Sequence, residues 1–171
     1  FFAMISRKKK KLSFCFLILT FLIIIIFLIS CKEQNVIFDA REIKVGDEIA
    51  GMNVEFVEVH PSVNPEDNDN YMAIVKFSGT VKIKGILNNY DDQPLFGRSI
   101  IFEIDEEYLD VLPQLNIDSN TEWFLIENYE EAIELINFDK DQLEATIIID
   151  DYTINYYMEV AYTANLVELI R

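Results

Sequence analysis

The segment LEATIIID, residues 143–150, alternates two kinds of side chain and does most to decide the fold. Successive side chains of a β-strand point to opposite faces, whereas a helix repeats its apolar positions every three or four residues. One face of this segment would be apolar and the other mainly polar: Leu143, Ala145, Ile147 and Ile149 against Glu144, Thr146, Ile148 and Asp150. The segment therefore predicts a half-buried β-strand.

Similar short strand-like runs recur through most of the chain, at 54–59, 73–77, 81–85, 100–104, 123–126, 152–160 and 166–170. The apolar parity changes between Phe56 and Val57, which indicates a β-bulge. Ser78-Gly79 indicates either a tight hairpin turn or a bulge within one long strand. About seven or eight strands predict a mainly β domain, either a small antiparallel β-sandwich or a partly closed barrel. The pattern does not separate these two architectures.

One or two short helices are predicted between the strands. Asp105 is placed to cap a turn that ends near Pro113. Asn128 is placed to cap a second helix whose first turn is acidic, where the helix dipole favours negative charge. The buried stripe of that second helix would consist of Tyr129, Ala132, Ile133 and Ile136.

A leader precedes the β domain. Residues 7–11 are all basic, and residues 12–30 contain no charge and consist mostly of Leu, Ile and Phe. This order is typical of a secretory signal sequence with a hydrophobic helix. It ends in Leu28-Ile29-Ser30-Cys31, which resembles the lipobox of bacterial lipoproteins. The resemblance implies cleavage after Ser30 and a diacylglyceryl group on Cys31, and two acyl chains suffice for stable membrane anchoring.

These features predict three parts: a lipoprotein signal peptide at 1–30, a lipid-anchored tether at 31–42 and a β domain at 43–171. The alternative is an uncleaved transmembrane helix, because 19 residues can span a bilayer of about 30 Å. The positive-inside rule places the β domain on the extracytoplasmic face in both cases. The expected location is therefore the outer face of a bacterial cell membrane. After Cys31 there is no further cysteine, which excludes an internal disulfide in the exported part.

The charge of the exported part restricts its partners. The chain after Cys31 has nine basic and 30 acidic side chains, a net charge of −21. Nucleic-acid binding needs a basic footprint, so this class of partner is excluded. Cations, cationic peptides and basic proteins stay open.

A second resemblance concerns the start of the domain. The sequence VGDEIAGMNV, residues 45–54, is similar to the opening of a group of uncharacterised Gram-positive lipoprotein domains. Those domains have an immunoglobulin-like sandwich, which is the architecture that the resemblance implies. It carries no catalytic residue with it.

Known catalytic motifs are missing from the sequence. It contains no Gly-x-Ser-x-Gly, no His-Glu-x-x-His and no glycine-rich phosphate loop. The single histidine, His60, lies beside Pro61 at the end of a predicted strand, and we interpret it as an ordinary strand-end residue. No catalytic residue is therefore assigned.

Two groups of residues are candidates for binding. Calcium prefers oxygen ligands, and the loop at 66–70 offers five oxygen-bearing side chains, with Glu66, Asp67 and Asp69 as the candidate carboxylate ligands. Asp150-Asp151 is a further acidic turn. Tyr152, Tyr156 and Tyr162 share one strand face and are candidates for a recognition surface. The alternative for these tyrosines is packing in the core.

The sequence predicts a membrane-anchored extracytoplasmic lipoprotein whose β domain is a non-enzymatic binding module. Its expected ligand is an envelope protein or a cell-wall component. One alternative is an envelope domain that binds calcium or another cation, the only cofactor expected. A second alternative is a carbohydrate-active enzyme that uses two carboxylates, which must lie roughly 5–10 Å apart.

Overall fold

A computed structural model describes residues 36–62, 71–93, 97–118, 121–136, 141–157 and 160–170. The chain divides into two units, Phe1–Glu33 and Gln34–Arg171, and every described residue belongs to the second. Within these described ranges, no helix has the length and apolar character needed to cross a membrane.

The described part is mainly β, as the sequence predicts. Its strands are β1 (Ile37–Phe38), β2 (Glu48–Ile49), β3 (Met52–Pro61), β4 (Tyr71–Ser78), β5 (Val81–Gln93), β6 (Gly97–Ile104), β7 (Gln114–Leu115), β8 (Trp123–Ile126), β9 (Gln142–Tyr156) and β10 (Val160–Ile170). A 3₁₀ helix spans Glu106–Val111, and helix α1 spans Tyr129–Ile136.

Five of these strands close into a barrel in the order β5-β6-β8-β10-β9, with β9 pairing back to β5. The neighbours are antiparallel except β8 and β10, which are parallel. Closure depends on β10, because it pairs with β8 on one side and with β9 on the other. The barrel alternative is confirmed, and the immunoglobulin-like sandwich implied by residues 45–54 does not form.

When the five barrel strands are renumbered 1 to 5 in chain order, their order around the barrel is 1-2-3-5-4-1. Helix α1 comes between strands 3 and 4 in the chain. This is the Greek-key connectivity of OB-type barrels. Folds of this kind carry many unrelated functions, so the connectivity assigns none by itself.

The LEATIIID segment lies in β9, the longest strand of the domain. Its odd-numbered side chains Ala145, Ile147 and Ile149 are buried, as its alternation predicts. The predicted acidic turn at Asp150-Asp151 is wrong, because β9 continues through both residues. Asp151 instead has a φ of 50°, and the pairing of β9 with β10 changes register nearby. This bulge moves the buried face to Tyr152 and Ile154.

The Ser78-Gly79 step interrupts one long strand. Residues 73–76 of β4 pair with 153–156 of β9, and residues 81–88 of β5 pair with 142–149. Since β10 occupies the other edge of β9 along both stretches, β4 and β5 follow the same edge one after the other. Gly79 allows the break with a φ of +107°. The bulge alternative is therefore the one that forms, and no β4–β5 hairpin does.

Strands β4, β3 and β2 extend the sheet beyond the barrel. The parity change at Phe56 and Val57 is a bulge, as predicted, because the β3–β4 register shifts between Val54 and Phe56. The predicted strand at 166–170 belongs to β10 and pairs with β9, whereas Thr163 and Ala164 close the barrel by pairing with β8.

The domain begins upstream of the predicted start at Ile43. Ile37–Phe38 forms β1 and pairs in parallel with β7, and Phe38 and Ala40 are buried in the core. Phe38 packs edge-on against Phe77, with 5.7 Å between ring centroids. The described end of the predicted tether is therefore part of the folded domain.

Both helices start where the sequence predicts, but neither cap residue acts as expected. Asp105 makes no side-chain capping bond, and its carboxylate lies 3.2 Å from Nζ of Lys84. Asn128 precedes α1, and its side chain instead bonds the backbone of Leu166 in β10. Both side chains bond partners in other elements, namely Lys84 in β5 and Leu166 in β10.

Candidate functional site

The predicted lipidation and metal sites lie outside the described residues. This applies to Cys31 and to Glu66, Asp67 and Asp69 of the acidic loop, so both sites stay predictions. In the part of the chain that is described, no three His, Cys, Asp or Glu side chains gather closely enough to hold a metal ion.

The three candidate tyrosines lie mainly in the core. Tyr152 and Tyr162 are buried, and Tyr156 is partly buried against the core. Tyr152 contacts the rings of Phe77 and Phe124. A buried ring offers no surface to a partner, so Tyr152 and Tyr162 do not form the predicted recognition surface. Their shared face was predicted correctly, but barrel closure turns that face inward.

The hydroxyl groups of Tyr162 and Tyr152 differ in their hydrogen bonding. The hydroxyl of Tyr162 donates a hydrogen bond to Oδ2 of Asp118, in the long connection between β6 and β8. Burial and this hydrogen bond raise the pKa of Tyr162 above its usual value. The hydroxyl of Tyr152 has no hydrogen-bond partner among the described residues, and burial raises the pKa of Tyr152 well above its usual value.

His60 lies on the exposed part of β3, in an unremarkable setting for a strand residue. Its Nε2 is 2.8 Å from Oε1 of Glu58, and its ring packs edge-on against Tyr157 at 5.2 Å. Glu58 and His60 are two residues apart, so they share one face of the strand. These contacts account for the residue without a catalytic role.

A cleft of about 510 Å³ opens where β5 ends and β9 begins. This volume is within the usual range of about 300–1,000 Å³ for small-molecule sites. Three carboxamides, one phenol and one carboxylate line the cleft: Asn88, Asn89, Tyr90, Asp141 and Gln142. This concave, polar lining makes the cleft the candidate binding site.

The pairing of β5 with β9 brings the two sides of the cleft together. Asn88 lies directly opposite Gln142, and opposite residues of an antiparallel pair share one face. Nε2 of Gln142 donates a 2.7 Å hydrogen bond to Oδ1 of Asn88. The backbone N–H of Asn89 donates a 2.8 Å bond to the backbone oxygen of Asp141. Asn88 is only 2% exposed, so this side of the cleft is held in place.

Helix α1 and strand β6 contribute a second group of contacts beside Asn89. The hydroxyl of Tyr129 lies 3.5 Å from Oδ1 of Asn89. The guanidinium of Arg98 stacks over the Tyr129 ring, 4.9 Å from its centroid, and donates to its hydroxyl at 3.3 Å. Arg98 also lies 3.9 Å from Glu130, but both side chains are exposed, so this ion pair contributes little.

Sequence reasoning did not single out any of the five lining residues. A signal was present in β5, where the apolar alternation ends at Leu87 and three polar or amphipathic residues follow, Asn88 to Tyr90. No local pattern connects them with Asp141 and Gln142, which are more than 50 residues away in the chain. Only the register of β9 against β5 shows that the two groups meet.

Comparison with models of protein families finds no match to this chain, and comparisons with curated proteins and with solved structures find none either.

Proposed function

We propose that the chain is a bacterial lipoprotein anchored through Cys31 on the extracytoplasmic face of the membrane, and that its barrel is a non-enzymatic binding module. The observation that carries the binding role is the polar cleft between β5 and β9. The cleft is formed by side chains on paired strands, and such elements position a binding group more rigidly than loops do. Its expected ligand is a component of the cell envelope.

The position of β1 supports a location close to the membrane. The chain packs into the domain from Phe38 onward. In the sequence, only Lys32 to Asn35 separate Cys31 from Val36. A chain spans at most about 3.3–3.6 Å per residue, so this distance is at most about 18 Å. A lipid group on Cys31 would therefore keep the barrel near the membrane surface, where envelope components are its nearest ligands.

The described lining of the cleft favours binding over hydrolysis. Glycoside hydrolysis requires two carboxyl groups on either side of the scissile bond. Of the five described lining residues, only Asp141 carries a carboxylate. The others are carboxamides and a phenol, which hydrogen-bond a ligand but are weak acids and bases at neutral pH.

Co-sedimentation tests this proposal. The full-length protein, solubilised in detergent, would be mixed with purified cell walls and centrifuged. We expect the protein in the pellet, and we expect Tyr90→Ala to move it to the supernatant. Tyr157→Ala is the matched control, because it removes an exposed tyrosine near the opposite end of β9.

Two results would contradict the proposed binding role. One is wild-type protein that stays in the supernatant with cell walls and recovers no partner from membrane extracts. The other is equal sedimentation of wild type, Tyr90→Ala and Tyr157→Ala, which would mean that the cleft takes no part in binding.

A further inference from the structure

We infer that the cleft recognises a neutral, hydroxyl-rich saccharide, such as a segment of an uncharged cell-wall glycan. This inference rests on the proposed function, since it names the ligand class of the same site. It is drawn from the chemistry of the five lining side chains and from the way β5 and β9 hold them.

The lining matches a ligand that both donates and accepts hydrogen bonds. Asn88, Asn89 and Gln142 each carry one acceptor oxygen and an NH₂ group with two donors. Hydroxyl groups have the same dual character, so several of them satisfy carboxamides without an unpaired polar group. Tyr90 adds an aromatic face with a polar tip, which suits a ring that has apolar C–H faces and a polar edge. A purely apolar ligand would leave these carboxamides desolvated and unpaired.

The charge of the cleft disfavours anionic ligands. The lining contains the acidic side chain of Asp141, and the exported part of the chain has a net charge of −21. None of the five described lining residues is cationic. An acidic polysaccharide or a phosphate-rich polymer would therefore be repelled, whereas an uncharged saccharide would not.

The backbone at Asn88 leaves no free strand edge for an extended peptide. Peptides commonly bind by adding a strand to a free sheet edge. At Asn88, β5 is already paired on both edges, with Ile101 of β6 and with Gln142 of β9. Recognition at this point must therefore use side chains, which is the way in which a saccharide without a peptide backbone is bound.

The donor and acceptor groups are fixed before a ligand arrives. The Gln142–Asn88 hydrogen bond orients two of the three carboxamides, and the Asn89–Asp141 backbone bond fixes the spacing of the strands. Among the described residues, Nδ2 of Asn88 makes one long contact of 3.5 Å, to the oxygen of Ile86. Such preorganisation reduces the entropic cost of binding.

Titration calorimetry tests the inference on full-length protein in a detergent without a sugar headgroup. The probes are chitotetraose and cellotetraose as neutral saccharides, tetragalacturonate as an anionic one and tetra-alanine as a peptide. We expect saturable binding of at least one neutral saccharide. We expect no binding of tetragalacturonate or tetra-alanine. Tyr90→Ala and Gln142→Ala should each weaken that binding by about tenfold or more, the usual effect of truncating a central contact.

Asn53→Ala and Tyr157→Ala are the matched controls, because both residues are exposed and lie outside the cleft. They should bind as wild type does, and the melting curves of all four variants should show that they fold. The inference is overturned if neither neutral saccharide binds at about 10 mM, the weakest range worth assigning. It is also overturned if tetra-alanine or tetragalacturonate binds instead.

Different results would overturn the saccharide inference and the proposed binding role. Protein that sediments with cell walls through Tyr90 but binds neither neutral saccharide overturns the saccharide inference and leaves the binding role in place. Protein that neither sediments nor binds a saccharide overturns both.

Discussion

Gly85 marks the closest approach of two barrel strands. A β-carbon at this position would overlap the backbone oxygen of Glu103 and lie 2.9 Å from Cζ of Phe102. Gly85 does not have a positive φ, so its role is to leave space rather than to relieve the backbone. Glycines in barrel strands commonly mark such contacts.

We predict that Gly85→Ala destabilises the domain by about 3 kcal/mol, because a backbone atom of β6 must move to accept the methyl group. Equilibrium denaturation in urea would measure the loss. Gly97→Ala is the comparison: nothing lies within 4 Å of its β-carbon position, and its φ is +64°. It should cost about 1–2 kcal/mol from backbone strain alone. Equal effects of the two substitutions would contradict the steric explanation.

Tyr152 and Tyr162 are expected to respond oppositely to loss of the hydroxyl. Tyr152→Phe removes a buried group without a described partner, so stability should change by less than about 0.5 kcal/mol or increase. Tyr162→Phe removes the hydrogen bond to Asp118 and should cost about 1–2 kcal/mol. Thermal and urea unfolding of both variants would check this difference. A larger loss for Tyr152→Phe than for Tyr162→Phe would mean that the Tyr152 hydroxyl has a partner.

At the level of elements, Asn128 joins the start of α1 to β10. Its Oδ1 accepts the N–H of Leu166 at 2.8 Å, and its Nδ2 donates to the oxygen of Leu166 at 3.0 Å. Strand β8 ends at Ile126, which pairs with Ala164 of β10. The carboxamide of Asn128 therefore bonds the next outward-facing backbone groups on this edge of β10, where β8 no longer supplies a partner.

We predict that Asn128→Ala costs about 1–3 kcal/mol, because both backbone groups of the buried Leu166 lose their partner. Asn128→Asp keeps the acceptor but not the donor and should fall between Ala and wild type. Urea denaturation measures all three proteins, with the exposed Asn53→Ala as control. If Asn128→Ala were as stable as Asn53→Ala, the link between α1 and β10 would have no energetic role.

Strand β3 is an edge strand over most of its length. Only Asn53 and Met52 pair with β2, and the described chain shows no second partner for Glu55 to Pro61. The bulge near Phe56, two glutamates and the terminal proline are features that oppose edge-to-edge association. The exposed Phe56 therefore lies on a strand that is protected against pairing.

The docking of the amino-terminal segment depends on Asp39. Its carboxylate bonds the Arg41 guanidinium at 2.6 Å and accepts from Asn116 at 3.3 Å. The Arg41 hydrogen bonds lower the pKa of Asp39 from 3.8 to about 2. An acid whose pKa is lower in the folded state stabilises that state above its unfolded pKa, and the benefit is lost as the pH falls through its folded pKa.

We therefore predict that Asp39→Asn is less stable than wild type at pH 7, by about 1 kcal/mol after solvent screening. The difference should begin to shrink as the pH falls below about 4, and it should be lost as the pH falls through and below about 2. Urea denaturation at a series of pH values would measure it, with the exposed Asp110→Asn as control. A difference that stays constant from pH 7 to pH 2 would show that the charge of Asp39 is not involved.

At the scale of the whole molecule, anchoring is tested at Cys31. We predict that Cys31→Ser abolishes lipid attachment and cleavage, so a longer precursor should accumulate. Gel mobility and metabolic labelling with a radioactive fatty acid would measure both changes. Cys15→Ser is the matched control, because that cysteine lies inside the hydrophobic leader. Processing of Cys31→Ser identical to wild type would instead support a membrane-spanning helix at residues 12–30.

Most strands were predictable, because a two-residue period is a local property that the sequence carries directly. The bulge at Phe56 and the strand at 166–170 were predicted in this way, and both are confirmed. Asp150-Asp151 was misinterpreted because two consecutive acids are common in turns, whereas here a bulge lets the strand continue. The predicted capping roles of Asp105 and Asn128 were wrong for a similar reason, because their side chains bond tertiary partners instead.

By itself, the sequence determined that the domain is mainly β, which side chains share a strand face, and that the chain after Cys31 is strongly negative. Only the tertiary structure decided that the sheet closes into a barrel, that Tyr152 and Tyr162 face inward, and that Asn88 meets Gln142. The physical reason is that periodicity specifies the face of a side chain but not the strand that pairs with it. Pairing depends on contacts between residues distant in the chain, and the candidate cleft exists only because β5 and β9 pair in one register.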